Sequence, residues 1–265
     1  MDYSIQTFSV RDVLPANLET TLKALGEMGY THIEYCDFFG KTAEELNAAL
    51  DAANLKVSGN HINLAKIAED FEGKTAYNKA IGNNLLIEPM ADMSTSEKLD
   101  AFVALANDLQ PKLEALGFTV AYHNHNVEFI ANEDGQIIFD ELVSRTNIKL
   151  ELDTFWAYAG GRDPVAMMEQ FKDRLIYIHI KDGISDGKPK PFPKIPQGAS
   201  EKELIELFKD FPKGVPLGMG TAPVKAVYAK AIELGIPMCV ESETLTPDGL
   251  SEAKVCIDFL KEQEK

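Results

Sequence analysis

Short apolar stretches alternate with helix-patterned stretches along the chain, and this alternation restricts the fold more than any other feature of the sequence. Eight stretches are candidate strands: Tyr3–Phe8, Thr31–Cys36, Lys56–Ile62, Leu85–Pro89, Phe118–His125, Ile148–Asp153, Leu175–Lys181 and Pro237–Glu243. The segments between them space their apolar residues as one face of a helix does. Strands that alternate with helices pair in parallel, and eight such units in about 250 residues predict an α/β fold, the (β/α)8 barrel.

A doubly wound open sheet is the alternative arrangement of alternating strands and helices. That fold usually carries a glycine-rich phosphate loop after its first strand, whereas the first candidate strand here continues into Ser9-Val10-Arg11-Asp12. No linker, repeat or low-complexity tract divides the 265 residues. We therefore predict that residues 1–265 form a single TIM-barrel domain.

One irregular stretch follows the seventh candidate strand. Residues 183–199 contain the segment Lys188-Pro189-Lys190-Pro191-Phe192-Pro193-Lys194-Ile195-Pro196, which is incompatible with a regular helix or a central strand. On a barrel this segment would lie over the mouth, where sites are built. It is either a lid or specificity loop or a surface excursion without a role.

The charge composition argues against large anionic partners. The chain has 42 acidic and 26 basic residues and a formal net charge of −16. With no concentrated basic patch, such a surface repels nucleic acid and anionic membranes, so a small-molecule partner is expected. Three separated cysteines indicate neither a disulfide framework nor a structural zinc site. Without a signal-like N-terminus or an 18-residue apolar stretch, we predict a cytoplasmic protein.

Chemically active side chains are concentrated where candidate strands end. They are His61, Glu88, His123, His125, Asp153, His179, Glu241 and Glu243. Four of the five histidines occupy such positions, and only His32 lies at a strand start. Because the C-terminal ends of barrel strands meet on one face, these side chains are expected to converge.

Strand alternation turns several of these residues the same way. Residues two apart share a face, which groups His123 with His125, Asp153 with Glu151, His179 with Lys181, and Glu241 with Cys239 and Glu243. Imidazoles and carboxylates from four strand ends suit a catalytic Mn²⁺, Co²⁺ or Zn²⁺ ion. Taken singly, an inward histidine is more often a hydrogen-bonded core residue and a strand-end aspartate is often a helix cap. The convergence of four strand ends favours the metal.

The same residues carry a family resemblance. Its segments are Ile5-Gln6-Thr7-Phe8-Ser9-Val10-Arg11-Asp12, Gly29-Tyr30-Thr31-His32-Ile33-Glu34-Tyr35, Tyr122-His123-Asn124-His125-Asn126-Val127-Glu128-Phe129, Glu151-Leu152-Asp153-Thr154-Phe155-Trp156, Ile178-His179-Ile180-Lys181-Asp182 and Val240-Glu241-Ser242-Glu243. Through them the chain resembles the sugar phosphate isomerase/epimerase superfamily, with its xylose isomerase-like TIM barrel, and its Tyr-His-Asn-His subgroup. That superfamily also contains ketose 3-epimerases, inosose dehydratase and endonuclease IV.

The resemblance implies one divalent metal ion (Mn, Co, Zn, Mg or Fe) at the ends of strands five to eight. Where the epimerases have Glu, Asp, His and Glu as ligands, the matching positions here hold His123, Asp153, His179 and Glu241. Those epimerases use both metal-bound glutamates as base and acid, so His123 argues against a symmetric two-glutamate epimerisation. Relatives also carry a Gly-x-Gly motif followed closely by an acidic residue, which is absent here near Met219. They reach this motif sooner after strand seven than this chain does. Residues 183–213 therefore resemble a partial insertion or lid.

From these residues we predict proton removal α to a metal-polarised carbonyl. Glu241 is the first choice as base and His125 the second. Lys181 would donate to the developing oxyanion, unless it forms an ion pair with Glu151 or Glu243. We expect His61, Glu88, Trp156 and Phe8 to contact substrate. A neutral sugar is favoured because the sequence has no glycine-rich anion cradle.

Several functions share this chemistry. The first expectation is a metal-dependent sugar isomerase or epimerase acting through an enediolate. The second is a lyase or dehydratase that expels a β substituent from a keto-sugar or keto-glycoside, and the third is a non-catalytic sugar-binding barrel. DNA repair of the endonuclease IV kind is disfavoured by the net charge and by too few metal ligands. Apolar residues around the proline-rich segment are compatible with a homo-oligomer.

Overall fold

In the computed structural model, which describes residues 1–14 and 16–265, eight parallel strands close into a barrel. Including two strands outside the barrel, the described residues form ten strands, which in chain order are β1 (Tyr3–Gln6), β2 (His32–Tyr35), β3 (Lys56–His61), β4 (Leu85–Glu88), β5 (Thr119–His123), β6 (Lys149–Asp153), β7 (Leu175–Ile180), β8 (Asp182–Ile184), β9 (Lys213–Val215) and β10 (Met238–Val240). β8 and β9 form a separate antiparallel pair, and β10 closes the barrel against β1. The predicted fold class and its eight barrel strands are confirmed.

Helices connect the barrel strands. They are α1 (Leu18–Met28), α2 (Ala43–Ala53), α3 (Leu64–Glu69), α4 (Phe71–Ala80), α5 (Ser96–Glu114), α6 (Ile138–Arg145), α7 (Thr154–Ala159), α8 (Pro164–Gln170), α9 (Glu201–Phe208), α10 (Val224–Leu234) and α11 (Gly249–Gln263). Local sequence sets their ends: Thr42 and Glu45 form a capping box at α2, and Gly29 ends α1 at φ 109°. None of the described helices combines the length and apolarity that a bilayer span requires.

The main apolar core lies between the strands and the surrounding helices. Strand residues such as Ile33 and Ile178 belong to the same buried cluster as Leu22 and Leu260 of the helices. Burying a large aliphatic side chain contributes about 1.5–3 kcal/mol. This shell therefore supplies the stability that allows the barrel interior to carry polar groups.

The barrel interior is apolar only in part. Leu85, Ile87 and Ala121 form a small buried cluster there. Elsewhere inside the barrel, carboxylates and imidazoles are buried, among them Glu34 and Glu151. Buried charged groups are costly unless they are paired or bind a metal, so this polar interior indicates function.

Residues 183–213 leave the barrel after β7 and return to it as a hairpin-like excursion. Ile184 of β8 pairs with Lys213 of β9, and α9 lies between these strands. The side-chain amide of Asn126 donates to the carbonyl of Lys190 at 2.7 Å. The segment therefore reaches the loop that follows β5, and its role as a lid stays a prediction.

Candidate metal centre and active site

Four buried side chains from consecutive barrel strands meet at the C-terminal end of the barrel. His123 ends β5, Asp153 ends β6, His179 lies in β7 and Glu241 directly follows β10. One possible ligand atom from each lies within 4.8 Å of the others. We call these residues the quartet; they are the four that the sequence predicts as metal ligands.

Asp153 shows why the quartet suits a cation. Its Oδ1 accepts the backbone N–H of Trp156 at 2.7 Å and so caps α7, whereas its buried Oδ2 has no hydrogen-bond partner in the described part of the chain. Lys181 Nζ lies 3.8 Å from Oδ2, beyond hydrogen-bond distance. Burial raises the pKa of Asp153 to about 7, although Lys181 opposes this. A divalent ion bound by two imidazoles and two carboxylates would give Oδ2 a partner.

Lys181 is fully buried among acidic side chains. Its Nζ donates to Glu241 Oε2 at 3.0 Å and to Glu243 Oε1 at 2.5 Å. Burial opposes its charge, but these carboxylates raise the pKa of Lys181. Burial likewise opposes ionisation of Glu241, yet Lys181 and His179 lower the pKa of Glu241 well below its usual value. Glu241 is therefore an ionised carboxylate at neutral pH, and of the two ion-pair partners expected for Lys181, Glu243 is found.

The loop after β5 positions His125 beside the quartet. Its backbone N–H donates to Glu128, which also accepts a hydrogen bond from the Tyr122 hydroxyl, both at 2.8 Å. The ring centroids of His125 and His123 are 5.0 Å apart, and no described residue offers a hydrogen-bond partner to the buried His125 Nδ1. Burial, with help from Lys181, lowers the pKa of His125 to about 4. At neutral pH this imidazole is uncharged and able to accept a proton.

Two buried glutamates lie deeper in the barrel: Glu151, which the sequence places on the face of Asp153 without a ligand role, and Glu34, to which sequence reasoning gave no part in the site. Glu34 Oε1 lies 2.8 Å from His179 Nε2. Glu151 Oε2 lies 3.2 Å from His123 Nδ1 and 2.9 Å from His61 Nε2. Each quartet imidazole therefore has one ring nitrogen bound to a buried glutamate, and this contact fixes the orientation of the His123 and His179 rings. A charged residue inside the apolar stretch Ile33-Glu34-Tyr35 is the signal that could have found Glu34.

A cavity of about 780 Å³ opens beside the quartet. Its lining includes His61, His123, His125, Glu241, Glu243, Phe8, Phe38 and Tyr77. The guanidinium of Arg11 lies 3.9 Å from the ring centroid of Phe8, which is 38% exposed. A volume of this size falls within the usual range for small-molecule sites, about 300–1,000 Å³.

The structure gives no support to the substrate contacts predicted for Glu88 and Trp156, which are not among the described residues that line this cavity. The two carboxylate oxygens of Glu88 accept hydrogen bonds from the Asn63 amide and the Leu64 N–H, each at 2.7 Å. Trp156 is 7% exposed, and Lys181 Nζ lies 4.9 Å from its ring. Lys181 is itself fully buried, so its influence on a substrate would pass through Glu241 and Glu243.

Comparisons with known proteins agree with this architecture. A family model described as a xylose isomerase-like TIM barrel matches residues 22–263. Inosose dehydratase from Geobacillus kaustophilus (strain HTA426) is 22% identical over 255 residues, which cover 82% of this chain and 76% of that protein. A sugar phosphate isomerase/epimerase structure from Parabacteroides distasonis ATCC 8503 superposes with a TM-score of 0.77 at 21% identity, covering 98% of each chain. The structure of IolI protein with a bound zinc atom gives a TM-score of 0.71 at 14% identity, covering 99% of this chain and 98% of that one.

Proposed function

The chain belongs to the xylose isomerase-like TIM-barrel family, as its sequence predicts, and we propose that it is a divalent-metal-dependent enzyme that removes the proton α to a carbonyl of a sugar or keto-sugar. The observation that carries the proposal is the buried quartet beside a cavity of about 780 Å³. A bound divalent ion would polarise the carbonyl and stabilise the negative charge that develops on its oxygen.

In this proposal Glu241 removes the α proton. Its carboxylate lines the cavity, and Lys181 keeps it ionised. A positioned general base contributes about 10²–10⁴-fold to the rate. Lys181 is a positioning residue here, because it contacts Glu241 and Glu243 and does not line the cavity among the described residues.

Elimination of a β substituent is the outcome that we favour. As the α C–H bond breaks, its electron pair forms the double bond, and the β C–O bond breaks in turn. The proton taken by Glu241 then passes to the departing oxygen, so that water or an alcohol leaves. Support comes from the inosose dehydratase among the relatives and from His123, which occupies the position where epimerases carry a second metal-bound glutamate.

Isomerisation or epimerisation is the second candidate function, and His125 is the observation in its favour. Returning a proton at another atom or face requires a second proton-transfer group. The uncharged His125 lines the cavity and, among the described residues, its Nδ1 has no hydrogen-bond partner, so it can receive a proton from water and pass it to the substrate. His61 and Phe8 complete the proposed substrate contacts, since both line the same cavity.

The test is incubation of the manganese- or zinc-loaded protein with a keto-inositol and with a 3-keto-glucoside in D₂O. Elimination produces an enone that absorbs in the ultraviolet, whereas epimerisation produces a deuterium-labelled epimer without that absorbance. We expect Glu241→Gln to slow either reaction by about 10²-fold or more. Glu252→Gln is the matched control, because Glu252 is a buried carboxylate bound to Ser242 and Thr246 and does not line the cavity.

Exchange or elimination that is equally fast in Glu241→Gln would contradict the role of Glu241. Binding of these sugars by the fully metal-loaded wild type, with neither exchange nor elimination, would favour the sugar-binding barrel instead.

A further inference from the structure

Beneath the quartet, four atoms form a closed ring in which nitrogen and oxygen alternate. The ring consists of Glu34 Oε1, His61 Nε2, Glu151 Oε2 and His179 Nε2, and we call these four residues the floor set. His61 Nε2 lies 3.0 Å from Glu34 Oε1 and 2.9 Å from Glu151 Oε2. His179 Nε2 lies 2.8 Å from Glu34 Oε1 and 3.3 Å from Glu151 Oε2. The side chains of Glu34, Glu151 and His179 are 0% exposed and that of His61 is 8% exposed.

Hydrogen bonds account for two of the four contacts in this ring, His61 Nε2 with Glu151 Oε2 and His179 Nε2 with Glu34 Oε1. Each imidazole nitrogen carries at most one hydrogen, and each of the two lies near two carboxylate oxygens. Two hydrogens would therefore have to serve four N···O contacts. Both glutamates also keep one buried oxygen, Glu34 Oε2 and Glu151 Oε1, that has no hydrogen-bond partner among residues 1–14 and 16–265.

A metal ion at the centre would satisfy all four atoms at once. Around a zinc ion with bonds of about 2.0–2.2 Å, neighbouring ligand atoms lie about 2.8–3.6 Å apart, and the four sides of this ring fall at 2.8, 2.9, 3.0 and 3.3 Å. A divalent ion would take the place of the imidazole protons that balance the two buried carboxylates in the metal-free protein. We propose that the floor set is a second metal site, which takes a zinc-like divalent cation.

The two sites would have different characters. The floor set supplies four protein ligands, as structural zinc sites do, and only His61 among them lines the cavity. The quartet lies beside the cavity and has room for substrate. His179 joins them, because its Nε2 faces Glu34 while its Nδ1 lies 3.3 Å from Glu241 Oε2. With both sites loaded, His179 would serve one site through each ring nitrogen and would release its N–H proton to solvent.

The experiment is elemental analysis of the full chain after loading with Zn²⁺ and removal of excess zinc by gel filtration. We expect two zinc ions per wild-type chain. The isosteric variants Glu34→Gln and Glu151→Gln each weaken the floor set and should retain one. Asp153→Asn weakens only the quartet and should also retain one, while the control Glu252→Gln should retain two.

Two patterns of zinc content would distinguish the floor set from the quartet. One zinc in the wild type that is lost in Asp153→Asn but kept in Glu34→Gln overturns the floor site. One zinc that is kept in Asp153→Asn but lost in Glu34→Gln supports the floor site and contradicts the quartet as the metal centre of the proposed function. Circular dichroism checks folding, and His61→Gln replaces the glutamate variants if neither folds, because His61 belongs to the floor set and not to the quartet.

Discussion

At the scale of single residues, Lys181 is the charge on which the candidate site depends. Replacing it by methionine in Lys181→Met leaves the buried Glu241 and the partly exposed Glu243 without their cation. Breaking one side of a buried ion pair costs about 3–5 kcal/mol, so we expect a loss of this size in the free energy of unfolding of the metal-free protein. Urea denaturation measures it.

The double variant Lys181→Met/Glu243→Gln removes one of the stranded carboxylates and should recover part of that loss. A single variant within about 0.5 kcal/mol of wild type would show that Lys181 is not the compensating charge.

His125 gives a prediction about pH. Because burial and Lys181 lower its pKa to about 4, the ring is already uncharged at pH 5 and stays so as pH rises. If its neutral form takes part in proton transfer, kcat/KM should fall only as pH drops toward about 4. We expect His125→Gln to lower kcat by about 10²-fold and to abolish that acidic limb.

The pH profiles of wild type and His125→Gln test this. A wild-type limb between about pH 6 and 7 that disappears in the variant would show that His125 titrates near its ordinary pKa.

Sequence reasoning located the quartet because strand ends and two-residue alternation suffice for that. The same alternation explains the weak case for Glu88. Ile87 belongs to the interior cluster, and Leu86 packs in the outer core, so Glu88 shares the outward face and reaches Asn63.

The contact between Glu34 and His179 crosses the barrel between strands that are not neighbours. Alternation along a strand shows on which face a side chain lies, but it gives no distances across a barrel. The floor set could therefore not be predicted from the sequence.

At the scale of elements, the fold was predictable because each unit carries its own signal. The strands have apolar alternation, and the helices have caps such as Thr42 and Asp163. The observed strands are shorter than predicted at several C-terminal ends: Phe8 lies in a 3-10 turn, and Glu241 lies just beyond β10. Functional side chains lie where regular pairing stops, so the apolar pattern overstates strand length there.

The excursion between β8 and β9 is the element whose function is most open to test. Since Ile184 and Lys213 are paired, residues 185–212 can be replaced by an Asn-Gly turn. Phe211 lies 6.2 Å from Trp156 between ring centroids, so its removal should expose the single tryptophan and shift its fluorescence to longer wavelength. Water entering the site should lower kcat by about tenfold or more.

A folded variant with wild-type fluorescence and kcat would identify the excursion as a surface feature only. Asn126→Ala is the milder companion variant, since it removes the hydrogen bond to Lys190 and leaves the chain length unchanged.

At the scale of the whole molecule, buried ionisable groups link stability to pH. In the metal-free protein burial raises the pKa of Asp153 to about 7 and of Glu151 to about 8, while Glu34 outweighs burial and raises that of His61 to about 9. Groups whose folded pKa is raised contribute stability that is lost as pH rises through that pKa. Each contribution starts to fall above the unfolded pKa and is gone above the folded one, so the metal-free protein should lose stability as pH rises: through Asp153 between about pH 4 and 7, through Glu151 between about pH 4.5 and 8, and through His61 between about pH 6.5 and 9.

Bound metal replaces the protons on these groups, so the zinc-loaded protein should change less over the same range. Thermal unfolding at about pH 6.5 and about pH 8.5 compares the two forms, and the gap in Tm between them should widen with pH. An equal fall of Tm in both forms would show that these groups do not control stability.

The central claim is that the quartet holds a divalent ion beside the cavity. The most direct measurement is anomalous X-ray scattering at the zinc absorption edge from crystals of the zinc-loaded protein, which locates each ion among its ligands. Density at the floor set bears only on the second site. The account predicts an anomalous peak bonded to His123, Asp153, His179 and Glu241. Zinc-loaded crystals with no peak among those four side chains would contradict it.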